Sequence, residues 1–160
     1  VEHEGPVYIR LFRRQAENVF DDDYEFDLGK ANLLRDGSDV TLIASGVCVA
    51  NALQAAETLA QEGVSARVLN IHTIKPIDAD AVIKAASETG ALVTAENHNV
   101  IGGLGSAVAE VLAEQRPTPL ERVGVKDHFG QVGKAPYLMG VFGITAADIA
   151  KAARKAIARK

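Results

Sequence analysis

Apolar residues follow two different rhythms along this chain. Val40–Ala44 and Ala91–Ala95 are short, nearly unbroken apolar runs bounded by turn residues, as expected of strands covered on both faces. Ala66–Asn70 and Glu121–Val125 read as further strands. Between these runs the apolar positions return at helical spacing. A helix over Gly46–Glu62 would carry Val49, Leu53, Ala56 and Ala60 on one face, with Gly63 at its C′ position. Pro76 and Asp78 precede a second helix that reaches Thr89, with Ala79, Val82, Ile83 and Ala86 turned inward, Asp78 as N-cap and Gly90 as its stop. Leu104, Val108, Val111 and Leu112 mark a third, ending near Gln115. Thr145 caps a last helix with Ile149, Ala153, Ala156 and Ile157 on one face. Lys126–Gly143, punctuated by Gly130, Gly133, Pro136 and Gly140, reads as loop.

From Val40 onward strands and helices alternate, which implies a parallel sheet with right-handed crossovers. Before it, Ala31–Leu34 and the short turn cluster Arg35–Ser38 predict a hairpin, with the first strand an antiparallel neighbour of the second. The expected fold is a three-layer α/β/α domain with a mostly parallel five-stranded sheet and one antiparallel edge strand. That domain spans residues 30–160. Residues 1–29 read differently: a strand at Val7–Phe12 after Gly5-Pro6, then an exposed connector over Ala16–Gly29 broken by Asp21-Asp22-Asp23. The chain opens on Val1, as if cut from something longer.

Composition narrows the function classes. Seventeen basic against 21 acidic residues give a formal charge of −4, which argues against a nucleic-acid partner held by a basic footprint. Lys151, Arg154, Lys155, Arg159 and Lys160 then read as a solvated helix end that complements the helix dipole. The single cysteine, Cys48, excludes an internal disulfide and fits a reducing, cytoplasmic setting. No apolar run approaches the ~20 residues that span a bilayer, so no membrane partner is expected.

Candidate chemistry gathers at strand ends, where open α/β sheets bind ligands. Ser45-Gly46, Asn70-Ile71-His72, Glu96-Asn97-His98 and Lys126-Asp127-His128 fall there. Glu96 and His98, placed in the turn after Ala95, could act as an acid/base pair. Gly102, Gly103 and Gly105 lead into a helix whose N-terminal N–H groups favour an anion, although their spacing is not that of a dinucleotide site and close helix–strand packing explains them equally well. His72, His98 and His128 lack local metal-ligand spacing, so no metal is expected. Cys48, inside a predicted helix without a nearby basic partner in sequence, is not expected to be a nucleophile.

Taken in order, several segments resemble the C-terminal end of transketolase. Gly5–Arg13 is similar to the last strand of that family's pyrimidine-binding domain. Asp39–Gly46, Ala66–Asp78 with Ile74-Lys75-Pro76-Ile77-Asp78, Glu96-Asn97-His98 with Gly102–Glu110, and Phe129-Gly130 through Thr145 are similar to successive parts of its C-terminal domain. The resemblance covers essentially the whole chain. It implies a tail of the pyrimidine-binding domain and linker over 1–29 and a C-terminal domain over 30–160, the latter supporting the dimer.

The activity it implies is two-carbon ketol transfer between a ketose phosphate and an aldose phosphate. Thiamine diphosphate and Mg²⁺ would be bound by domains absent here, so none is expected on this chain alone. It also implies a partner carrying the N-terminal part of the enzyme, as in the two-chain bacterial form, and homo-oligomers. Arg13 matches the family arginine that binds substrate phosphate; no residue here matches a catalytic one. Glu96, His98, Gly102, Gly103 and Gly105 remain a candidate anion site or an interface. Deoxyxylulose-phosphate synthases and the beta subunits of 2-oxoacid dehydrogenases share the architecture. Other readings are a stand-alone phosphate-binding module and a domain docking an acyltransferase.

Overall fold

A computed structural model describes residues 3–9 and 17–160. The element order is β1 (Asn32–Arg35), β2 (Val40–Ala44), α1 (Cys48–Gln61), β3 (Ala66–Asn70), α2 (Ala79–Thr89), β4 (Leu92–Asn99), α3 (Leu104–Gln115), β5 (Leu120–Val125), α4 (Ala135–Phe142) and α5 (Ala146–Ile157). The strands form one five-stranded sheet in the order β1-β3-β2-β4-β5. β2, β3, β4 and β5 are mutually parallel, and β1 is the antiparallel edge strand. The three-layer fold expected from the sequence is the one formed.

The predicted hairpin is not. β1 pairs with β3, and β3 lies between β1 and β2. A four-residue link extends to roughly 13 Å, whereas two strand spacings are about 9.6 Å, so a short link does not force adjacency. Asp36–Asp39 crosses over the start of β3. A Cβ added to Gly37 would lie 2.4 Å from the Ala66 carbonyl carbon, and Asp39 and Ser65 exchange bonds, Asp39 N–H to Ser65 O at 2.8 Å and Ser65 N–H to Asp39 Oδ2 at 2.7 Å. The strand direction was right and the neighbour was wrong.

Opposite crossover directions put helices on opposite faces of the sheet, as a constant right hand requires. α1 and α5 cover one face, where Leu42, Leu59, Val68, Val93 and Ile149 are fully buried. α2 and α3 cover the other, around Ile43, Val82, Leu92, Leu104 and Val108. α1 turns slightly from the expected face: Ala52, Ala55 and Leu59 are buried and Ala60 is exposed. Asp78 caps α2 by accepting from Ala81 N–H at 3.2 Å, and Gly90 ends it with φ +67°. Thr145 and Asp148 form a capping box on α5.

The stretch read as loop contains α4, a helix with no buried residue. Val7–Ile9 is exposed and carries no strand. The rest of that expected strand, and Arg13, lie outside the described residues. At the C-terminus the basic cluster is solvated and ion-paired: Arg154 with Glu62, and Lys155 and Arg159 both with Glu121.

Candidate functional site

The crevice of a doubly wound sheet opens between neighbouring strands whose crossovers leave to opposite faces. Here those strands are β2 and β4. A hollow of about 380 Å³ lies at their carboxyl ends, lined by Ser45, Ile74, Glu96, Asn97, His98, Gly102 and Gly103. The structure thus brings the strand-end residues Ser45, Glu96, Asn97 and His98 together with Gly102 and Gly103, while Gly105 does not line the hollow.

The internal chemistry of the hollow differs from the expectation. β4 does not stop at Ala95; it continues through Glu96, Asn97 and His98 to Asn99, with a register shift against β5 between Ala95 and Asn99. Glu96 and His98 therefore sit on the strand and not in a turn. Glu96 is 3% exposed. Its Oε2 accepts from Leu104 N–H and its Oε1 from Gly105 N–H, both at 2.8 Å. The anion at the N-terminus of α3 is thus the protein's own carboxylate, placed where the helix dipole favours negative charge. An external anion would have to displace it.

The glycines make that contact geometrically attainable. A Cβ on Gly103 would lie 2.0 Å from Glu96 Oε2, and one on Gly105 would lie 2.8 Å from both Thr94 Oγ1 and the Arg122 side chain. Gly124, on β5, is equally tight, 2.9 Å from Val100 Cγ1 and 3.2 Å from Glu96 Cγ. Gly102 differs: its φ of +76° turns the chain in open space, and its N–H donates to Ser106 Oγ at 2.9 Å.

His98 is exposed, and its Nδ1 bonds to the neighbouring Asn99 carbonyl at 3.0 Å. Both carboxylate oxygens of Glu96 are engaged elsewhere, so the structure brings Glu96 and His98 to one hollow without joining them as an acid/base pair. The other strand-end histidines are separate. His72 packs against Phe26 with ring centroids 4.6 Å apart, and His128 stacks on Phe142 at 5.4 Å. Cys48, at the start of α1, is fully buried. Loss of solvent, reinforced by the negative charge of Glu96, pushes its thiol up to about 12, away from the range of a nucleophilic thiolate.

Sequence reasoning missed three polar links that brace this end of the sheet. Asn99 Nδ2 donates to Asp127 Oδ1 at 2.9 Å, Arg122 Nη1 to the Val100 carbonyl at 3.0 Å, and Ser106 Oγ to that same carbonyl at 3.1 Å. Asp127 has φ +52°, in the left-handed region that short polar side chains tolerate. The density of Asn and Asp at the strand ends was the available signal. A diphosphate with Mg²⁺ needs free N–H donors and converging carboxylates. Among the described residues no His, Cys, Asp and Glu cluster could hold a metal ion, and the α3 N-terminus is filled. These residues do not fit that group.

Comparison with known proteins adds an independent line. The family model for the transketolase C-terminal domain matches residues 29–149. The 6-deoxy-6-sulfo-D-fructose transketolase subunit SqwH of Clostridium sp. (strain MSTE9) is 58% identical over 99% of this chain and 49% of its own length. An apulose-4-phosphate transketolase subunit of Phocaeicola vulgatus is 42% identical over 96% of this chain and 49% of its own. A solved structure described as a split gene transketolase, inactive beta4 tetramer, superposes with a TM-score of 0.93 at 48% identity, over 98% of this chain and 52% of that one. The chain thus spans about half the length of these three relatives.

Proposed function

We propose, on the premise that the chain belongs to the transketolase C-terminal domain family, that it is the C-terminal domain, with the tail of the preceding pyrimidine-binding domain, of the C-terminal subunit of a split transketolase. The complete enzyme transfers a two-carbon ketol unit between a ketose phosphate and an aldose phosphate in the cytoplasm. It assembles from this subunit, a companion carrying the N-terminal part, and further copies of both. Thiamine diphosphate, bound there with Mg²⁺, supplies the carbanion stabilisation that such a transfer needs. This chain alone is inert.

One observation carries the reading. At the topological switch point, where an α/β domain of this kind would bind a ligand, the helix N-terminus is filled by Glu96. The domain has spent its best anion site on its own architecture, which fits a supporting role. In this reading Glu96, Gly102, Gly103 and Gly105 hold the β4–α3 junction, exposed His98 is available to a neighbouring subunit, and Arg13 binds substrate phosphate. The identity to two transketolase subunits of differing sugar substrate supports the reaction class and leaves the sugar to experiment.

Isothermal titration with thiamine diphosphate and Mg²⁺ tests the proposal. No binding is expected to this chain, and turnover is expected only when the full-length subunit is mixed with its companion. Micromolar binding by this chain alone would overturn it.

A further inference from the structure

α4 is apolar in sequence, yet none of its residues is buried. It meets the α1/α5-side core through Met139 and Phe142, both only partly buried. Tyr137 and Val141, four residues apart and so neighbours on the helix surface, are 60% and 47% exposed. The segment between β5 and α4 adds Phe129 and Val132, which are fully exposed. That segment is held to the helix at both ends. His128 stacks on Phe142. A Cβ added to Gly133 would lie 2.8 Å from Tyr137 Cδ1 and 3.1 Å from Leu138 Cδ2. Phe129, Val132, Tyr137 and Val141 therefore share one surface.

Single apolar residues at a surface need no explanation, but a group of them marks an interaction site. The path of the chain says which partner it meets. The connector runs past the His72 ring, where Phe26 packs. Further toward the N-terminus, Val19 packs against the α1/α5-side core. Glu17, Asn18 and Val19 lie beside Ala50, Leu53 and Gln54 of α1. The α4 end of the domain reaches the same turn of α1: Asn51 Nδ2 donates to the Ile144 carbonyl at 2.9 Å and contacts Met139 Sδ at 3.9 Å. The three relatives are about twice as long as this chain, and the family match is to a C-terminal domain. A preceding half joined through Glu17 arrives within one turn of α1 from the α4 contact. Such tethering makes its encounter with a nearby surface intramolecular, at high effective concentration.

We infer that Phe129, Val132, Tyr137 and Val141 form the surface on which the preceding half of the same subunit docks. The inference rests on the reading that this chain is the C-terminal part of a longer subunit. Docking there buries the four side chains and fixes the orientation of the two halves, which a connector alone leaves free.

The test is a photocrosslinking variant of the full-length subunit, Phe129→p-benzoylphenylalanine. Phe129 is 99% exposed, so the larger side chain displaces nothing within this domain. Denaturing electrophoresis and peptide mass mapping after irradiation identify what lies against it. The expected product has the mass of one subunit and joins position 129 to the preceding half. A product of two subunit masses assigns the surface to a second copy, and one formed only with the companion present assigns it to the companion. A crosslink confined to this domain, or no product, leaves the surface to solvent. Each of these overturns the inference.

Amide exchange gives a second readout. Over Tyr137–Phe142, exchange in the full-length parent is expected to be about tenfold slower than in Phe129→Asp/Val132→Asp, the scale of burying one apolar side chain. The urea midpoint of this 160-residue chain should not move with the same two changes. Equal exchange in both proteins overturns the inference, as does a fall in that midpoint, which would assign the two side chains to the domain's own packing. Turnover with the companion is measured alongside. Turnover without the single-subunit crosslink sinks the docking surface alone, and the crosslink in a subunit that never turns over sinks the transketolase reading alone.

Discussion

Glu96 shows how one residue can resemble a catalytic acid and serve as a cap. A buried carboxylate is costly unless its charge is met, and here two helix N–H groups and the α3 dipole meet it. Glu96→Gln keeps the shape but turns an amide NH₂ toward one of those N–H donors. The expected cost is about 1–3 kcal/mol of stability, read from the urea midpoint at unchanged m-value. A loss of turnover in the assembled enzyme at unchanged stability would instead restore the catalytic reading.

Cys48 gives a second prediction at this scale. Its ordinary pKa of 9.0 rises to about 12 in the folded chain. Between those values the unfolded chain has released a proton that the folded chain retains. Stability is therefore full below pH 9 and falls as pH rises toward 12, by about 1.4 kcal/mol per unit. Urea unfolding from pH 8 to 10.5 should show a steeper decline for the parent than for Cys48→Ala.

Among the elements, those carrying their own punctuation were legible in sequence. α2 lies between Asp78 and Gly90, α5 begins at the Thr145–Asp148 box, and α3 follows Gly103. α4 was missed because Gly133, Pro136 and Gly140 mask its helical pattern and its apolar residues define no buried face. The extension of β4 was missed because its last residues are polar. Their strand conformation is decided by β5 and by the α3 N-terminus, both distant in sequence. The Glu96 cap was unreadable for the same reason: Gly103 and Gly105 announced a close approach without naming what approaches.

The place of β1 depended on one crossing. Gly37 packs on the backbone at the start of β3, where neither Ala66 nor Arg67 can yield to a side chain. Gly37→Ala is expected to destabilise by about 1–3 kcal/mol, the range for overpacking. Amide exchange should quicken in the β1–β3 ladder and stay slow in the β2–β4 ladder. Uniform quickening of both would mean that the crossing does not control the edge strand on its own.

For the whole molecule, the sheet acts as a wall between two cores. Leu42 faces the α1/α5 side and its neighbour Ile43 faces the α2/α3 side, both fully buried. The alternation of β2 therefore feeds both cores at once, which explains why a strand read as uniformly apolar was identified so readily. Because the two cores are separate clusters on opposite faces of one sheet, damage to one should be felt by the other only through global unfolding. Leu59 lies in one core and Leu112 in the other. Leu59→Ala and Leu112→Ala should each cost about 2–5 kcal/mol. Their double variant should cost the sum to within about 0.5 kcal/mol, as for sites without shared partners. Chemical denaturation of the four forms measures this directly. A coupling above about 1 kcal/mol would show that strain crosses the sheet. The hollow between β2 and β4 would then be mechanically linked to both helical layers.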